Sequence, residues 1–233
     1  MIRMQERNDQ FIETALPFWN DLTPQDKTQL KRAIQKRHFP AGTPLHNGES
    51  GCSGLLLVYS GQVRAYLISD SGREITLYRL FERDICIFTA SCMMKDIRFT
   101  MYVEAEKDTE AFIIPPLFYL ELCNHSLAAS KYMNQLMSSR FSDAIWTMEQ
   151  TLFTSFDRRL AHFLLEQSTI ENSLTLRMTH DNIARNLGSA REVVTRMLKY
   201  FQGEGLVSLS RGEITLLDEK RLLALSENPS QKI

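Results

Sequence analysis

The chain has 233 residues, a net charge of −1 and a hydrophobic fraction of 43%, enough for two modest domains with real cores. Its longest apolar run, 55–59, is far too short to cross a bilayer, and the opening MIRMQERNDQ has no apolar secretion core, so a cytoplasmic protein is expected. A near-neutral total does not exclude nucleic acid as a partner, because the charge that matters is local. The first clear element is Thr23-Pro24-Gln25-Asp26, a threonine N-cap, a proline at the first helical position and an acid at the third, which predicts a helix to about Lys36. Pro40, Gly42, Pro44 and Gly48 then mark a change to short strands and turns. Strands are expected over 55–60 and 63–68 around Ser60-Gly61, over 74–80 after the turn Asp70-Ser71-Gly72, and over 86–88, 101–104 and 111–114.

Many short strands at regular turn spacing imply a sandwich or roll. A jelly-roll metalloenzyme built on the same strands would need a His-x-His pair and a carboxylate on neighbouring strands. His38, His46 and His125 are scattered, so no metal site is expected. The four cysteines, Cys52, Cys86, Cys92 and Cys123, form no Cys-x-x-Cys pair and read as small buried residues; a thiol switch between Cys86 and Cys92 is the alternative.

Pro115-Pro116 closes this region, and a helix is expected from Leu127 to Phe153. Within it Met137, Ala144 and Thr151 occupy one position of a 3.5-residue repeat and Asn134, Phe141 and Met148 the other. Ile145 and Leu152 widen the stripe toward a face that packs on the strands. The helix is longer than one domain needs, which points to pairing with a second copy; the alternative is one amphipathic helix packed inside a monomer. Thr154-Ser155 interrupts the pattern. Ser155 is the expected N-cap of a helix over 156–167, and the hinge of the chain is placed there.

The stretch THDNIARNLGSAREVVTRMLKYF, 179–201, carries the most information. Thr179 is an N-cap, and Ile183, Ala184 and Leu187 give the helix after it an apolar stripe. Gly188 ends that helix, and Ser189 can cap a second one to about Gln202. On the second helix Val194, Met197, Leu198 and Phe201 face a core, while Ser189, Arg191, Glu192, Thr195, Arg196 and Lys199 fill the opposite side. Strand-like runs over 206–209 and 213–217, around Ser210-Arg211-Gly212, follow as a hairpin. Helix, turn, helix and wing make an arrangement whose polar face can read base edges. The alternative is a helical hairpin with a solvated face carrying a Glu192–Arg196 pair. Asp218 is expected to cap a short helix through Leu225, ahead of a loose tail over 228–233.

The segment LGSAREVVTRMLKYFQGEGLV resembles the recognition-helix signature of the Crp/Fnr family of bacterial transcription regulators. With Gly61 and Gly72 at the turns of the strand region, the resemblance extends over nearly the whole chain. It implies an α+β protein in three parts. These are an N-terminal β-roll of the cyclic-nucleotide-binding, jelly-roll type with its N-terminal helix (1–126), a long dimerisation helix and hinge (127–154), and a C-terminal winged helix-turn-helix (155–233). Carried over by position, it makes Arg191, Glu192 and Arg196 base readers with Thr195 beside them, and puts Thr179 and His180 at backbone phosphate. Arginine forks suit guanine O6 and N7, and a carboxylate accepts from cytosine N4. Ala190 stands where serine is frequent, so one phosphate contact lacks its hydroxyl. Ser189 and Lys199 complete the expected DNA face, and Met137, Phe141, Ala144 and Met148 the dimer helix. The implied protein is a regulator and not an enzyme; its partners are double-stranded DNA with a near-palindromic site, a second copy, and RNA polymerase.

Relatives that bind cyclic AMP hold its phosphate with a Gly-Glu pair and an Arg-Ser pair. The corresponding region here, FERDICIFTASCMMKDIRFTMY, has no Gly-Glu pair, and Phe99-Thr100 stands where the arginine and serine would be. Arg98 is one residue off, which on a strand points it to the other face. Ala144 and Ile145 replace the purine-contacting hydroxyls. A buried phosphate without its counter-charge forfeits about 3–5 kcal/mol, so cyclic AMP is not the expected effector. No cysteine precedes Cys52 to hold an iron–sulfur centre, and no histidine suits haem. The expected effector pocket, Ser91, Cys92, Thr100, Ala144 and Ile145, suits a small neutral or weakly polar ligand. The alternatives are a filled core without effector, a thiol sensor at Cys92 beside Lys95 and Arg98, and a ligand-binding module whose winged helix docks a protein.

Overall fold

A computed structural model describes residues 2–47, 52–93 and 100–227. Gly48, Lys95, Arg98, Phe99 and the tail over 228–233 lie outside them, as do the side chains of Ser91 and Cys92. The chain divides into two compact units, Met1–Leu67 with Leu77–Ala144, and Ile68–Thr76 with Ile145–Ile233.

The first unit opens with α1 (Ile2–Ala15) and α2 (Pro24–Ala33). Thr23 caps α2 as expected: its Oγ1 accepts from the Asp26 amide at 3.2 Å and donates to Asp26 Oδ2 at 2.7 Å. The helix stops at Ala33, short of Lys36, because Ile34 turns extended and the chain enters β1 (Gln35–Phe39). Seven strands follow: β2 (Pro44–Asn47), β3 (Leu55–Ser60), β4 (Val63–Ile68), β5 (Glu74–Leu80), β6 (Ile85–Cys86), β7 (Tyr102–Ala105) and β8 (Thr109–Ile114). They form two four-stranded sheets, ordered β1-β8-β3-β6 and β2-β7-β4-β5. The strand expected over 86–88 ends at Cys86, since Phe88 already begins a 3₁₀ segment to Met93.

In β3, Leu55 to Val58 are all buried, although alternate residues of a strand face opposite ways. Helix α1 supplies part of the second cover. Phe11 lies 4.7 Å from Tyr59 and 5.8 Å from Phe112, ring centre to ring centre. The turn from β3 to β4 needs Gly61, whose φ of +96° favours glycine and whose added Cβ would collide with the Asp108 carbonyl and Thr109.

Helix α3 (Pro116–His125) has its proline in the first turn, where a missing N–H costs nothing. Next comes α4 (Leu127–Phe153), 27 residues long and within the bounds its periodicity predicts. Ala129 and Leu136 are buried, and Tyr132, Met133 and Met137 pack on the core of the first unit. Farther along, Phe141 is 70% exposed, Ile145 41%, Met148 51% and Leu152 64%. Ile145 and Leu152, expected to widen the stripe toward a packing face, are themselves exposed. Steps of four, three and four put all four side chains on one outward stripe.

In the second unit, α5 (Phe156–Glu171) runs past the expected Gln167 and closes on Asn172, left-handed at φ +47°. It is followed by β9 (Thr175–Leu176), α6 (His180–Leu187), α7 (Arg191–Gly203), β10 (Val207–Ser210), β11 (Glu213–Leu216) and α8 (Glu219–Glu227). The wing has three strands, β10-β11-β9, where the sequence predicts two. Leu160, Leu164, Ile183, Val194, Leu198, Phe201, Ile214 and Leu222 form the core of this unit. Asp218 accepts from the Arg221 amide at 3.0 Å and caps α8 as expected. No helix among the described residues is long and apolar enough to cross a membrane.

Candidate nucleic-acid interface

Helix α6 starts where Thr179 Oγ1 accepts from the Asn182 amide at 3.1 Å. It ends at Gly188, φ +64°, and the Ser189 amide closes the turn on the Ala184 carbonyl at 3.0 Å. Arg159 of α5 braces this corner by donating to the Leu187 carbonyl at 3.0 Å. Ser189 is thus part of the end of α6 and does not cap α7. Ala190 holds the N-cap position, and no side chain bonds the first amides of α7. Amides left open in this way, at the positive end of the helix dipole, suit a phosphate.

Val194, Leu198 and Phe201 bury one side of α7 in the core. The opposite side lines a shallow groove of Arg191, Glu192, Thr195, Arg196 and Lys199, the residue set that the spacing predicts, apart from Ser189. Arg191, Glu192, Arg196 and Lys199 are exposed. Among the described residues none of these four has a side-chain hydrogen bond or ion pair, so the Glu192–Arg196 pair of a merely solvated face is not formed. Thr195 differs from them. Its Oγ1 donates to the Arg191 carbonyl at 2.9 Å and lies 2.9 Å from His180 Nδ1. Burial, and after it the charge of Arg191, hold the His180 imidazole below its ordinary pKa.

A second groove, about 560 Å³, joins Thr179, His180, Asp181 and Arg191 to Ser210, Gly212 and Glu213 of the wing. The wing residues were not singled out in the sequence, where they read only as a hairpin. Their sequence signal is the turn Ser210-Arg211-Gly212.

Of the expected effector residues, Ser91 and Cys92 have side chains outside the described set. Thr100 is exposed, Ala144 half-buried and Ile145 exposed. Tyr78 and Arg140 of the first unit, for which the sequence sets no expectation, lie in contact. The Arg140 guanidinium lies 4.4 Å from the centre of the Tyr78 ring and pairs with Asp143 at 2.8 Å. Tyr78 Oη and Arg140 Nε are buried with no hydrogen-bond partner among the described residues. Cys52 is disulfide-bonded, which its reading as a plain buried residue does not anticipate. Cys86 and Cys123 are free, and burial raises the pKa of both thiols.

Two family models match the chain: the cyclic nucleotide-binding domain over residues 36–126 and the Crp-like helix-turn-helix domain over 158–225. A crystal structure of a Crp/Fnr-family transcriptional regulator from Eubacterium rectale is 51% identical. The match covers 92% of this chain and 99% of that one, with a TM-score of 0.89. The Cyclic AMP receptor protein of Thermus thermophilus is 26% identical over 209 residues, 87% of this chain and 95% of that protein. The Anaerobic regulatory protein of Haemophilus influenzae is 27% identical over 233 residues, 95% of this chain and 87% of that protein. With a β-roll, a long helix and a winged helix-turn-helix in the same order as this 51%-identical relative, the chain belongs to the Crp/Fnr family of DNA-binding transcription regulators.

Proposed function

We propose that this regulator works as a homodimer whose two α7 helices read a near-palindromic DNA site. The observation that carries the reading is the polar face of α7, where Arg191, Glu192, Arg196 and Lys199 are exposed and uncommitted. Arg191, Arg196 and Glu192 read base edges, Thr179, His180 and Ser189 lie toward phosphate, and Lys199 adds sequence-independent attraction. The exposed stripe Phe141, Ile145, Met148 and Leu152 supports pairing of α4 with a second copy, since contiguous apolar surface of this kind marks an interface. The working division is a sensor over 1–126, a dimer helix and hinge over 127–154 and a reader over 155–233. It acts in the cytoplasm with RNA polymerase as a further partner. Titration of a DNA duplex with the full chain at rising salt tests the reading. Phosphate contacts give a steep fall of affinity, whereas a wing that docks a protein gives none on DNA.

The effector we propose is a small molecule other than cyclic AMP. Phe99-Thr100 in place of an Arg-Ser pair and Ala144-Ile145 in place of hydroxyls support this. A thiol-responsive regulator is the second reading, and the Cys52 disulfide favours it. Under that reading oxidation and reduction shift DNA affinity reversibly, and Cys52→Ser or Cys92→Ser abolishes the shift while leaving binding by the reduced protein intact. If a small ligand is the signal, both substitutions leave regulation in place.

A further inference from the structure

We infer that His180 is a proton-linked phosphate contact: Thr195 fixes the ring so that only the protonated imidazole can donate to a DNA backbone oxygen. This rests on the DNA-reading function proposed above and adds a pH dependence to it.

A threonine hydroxyl has one hydrogen, and Thr195 spends it on the Arg191 carbonyl at 2.9 Å. With that hydrogen on the Arg191 carbonyl, Thr195 Oγ1 offers His180 Nδ1, 2.9 Å away, a lone pair, and on that basis we assign the neutral ring's hydrogen to Nδ1. Neutral imidazole has a single N–H. Its Nε2 is then bare, an acceptor, and has nothing to give a phosphate oxygen. Protonation puts a hydrogen and a positive charge on Nε2 and turns the same ring into a charge-assisted donor.

The surroundings keep this switch open in the free protein. Arg191 of α7 lines the groove with His180 and opposes its charging. The two carboxylates lining that groove are engaged elsewhere. Asp181 of α6 pairs with Arg185 at 3.2 Å, and Glu213 of β11 pairs with Arg177 at 3.2 Å. A DNA phosphate brings the missing negative charge and raises the imidazole pKa in the complex. The sign follows: binding takes up a proton, and affinity falls as pH rises from the free-state pKa to the bound-state pKa. The limit is about tenfold per pH unit for each reading domain.

The test uses the full-length protein and the duplex it selects from a random pool. Affinity is measured from about pH 5.5 to 8.5 at fixed ionic strength. Calorimetry of the wild type in two buffers of different ionisation enthalpy counts the protons taken up. The wild type should lose affinity with rising pH and show net proton uptake. His180→Gln, whose amide donates without first being protonated, should bind with a flat profile. Thr195→Val frees the neutral ring to place its hydrogen on Nε2, and should flatten the profile without removing binding. A wild type that selects a site yet takes up no proton overturns this inference alone. A slope unchanged in His180→Gln does the same. Failure to select any site overturns the DNA-reading proposal and this inference with it.

Discussion

Arg191 and Arg196 stand five residues apart on the open face of α7, exposed and with no side-chain hydrogen bond or ion pair among the described residues. Arg191→Ala or Arg196→Ala should each cost about 1–3 kcal/mol on the selected site and relax preference at one base pair. Lys199→Ala should weaken all sequences alike. Site selection with each variant checks both statements, and a motif unchanged in both arginine variants would sink the assignment. At a different residue pair, His125 Nε2 lies 3.0 Å from Asp26 Oδ1. Burial, the largest influence on Asp26, raises its pKa, but the hydrogen bonds from Thr23 and His125 outweigh it and the net shift is downward. The hydrogen bond to Asp26 raises His125. The Asp26 contribution to stability is present above its ordinary 3.8 and is lost as pH falls through the lowered folded value. The His125 contribution is present below its ordinary 6.5 and is lost as pH rises through the raised folded value. Melting temperature should therefore decline above neutrality in the wild type and less so in His125→Gln; equal declines would rule the pair out as a source. Thr23 and Thr179 were readable as caps because capping is settled within four residues of chain. Ala190 and not Ser189 takes the cap of α7 because the choice depends on how α6 ends, and the Tyr78–Arg140 contact leaves no sequence signal because α4 and β5 are distant along the chain.

The turn between β3 and β4 was legible from Ser60-Gly61, and its geometry explains why. Gly61→Ala meets both a positive φ and a collision with Asp108 and Thr109, and should cost more than about 1 kcal/mol. A urea midpoint equal to that of the wild type would show that the turn relaxes. Other elements left no comparable mark. In β1, Gln-Lys-Arg-His-Phe is polar and mostly exposed, and it is a strand only because β8 lies beside it. Helix α1 hides a short apolar patch, Phe11, Ile12 and Ala15, behind a charged opening, and β9 is two residues long. For α4 the length and the exposed Phe141 and Met148 were readable, and the exposure of Ile145 and Leu152 was not, because a repeat near 3.5 residues does not say how wide the exposed stripe is. A charge at Phe141 or Met148, such as Phe141→Glu, should convert dimers to monomers and abolish tight binding to a full site. Sedimentation that finds wild-type monomers at concentrations where DNA is bound tightly would contradict the pairing of α4.

Over the whole molecule, a net charge of −1 conceals the basic face of α7, where Arg191, Arg196 and Lys199 outnumber Glu192. The order roll, long helix, winged helix was legible because each part has its own period: short strands with turns, a 3.5-residue seam, and two helices around Gly188. A ligand for the roll was not legible, because a binding pocket depends on a few side chains brought together by folding. The most direct measurement of the central claim is selection of duplex sites from random DNA by the full-length protein. Two inverted half-sites whose centres lie about one helical turn apart, roughly 34–36 Å, should be enriched, with affinity that falls steeply with salt. No enrichment, or a single half-site bound as tightly as the pair, would contradict it.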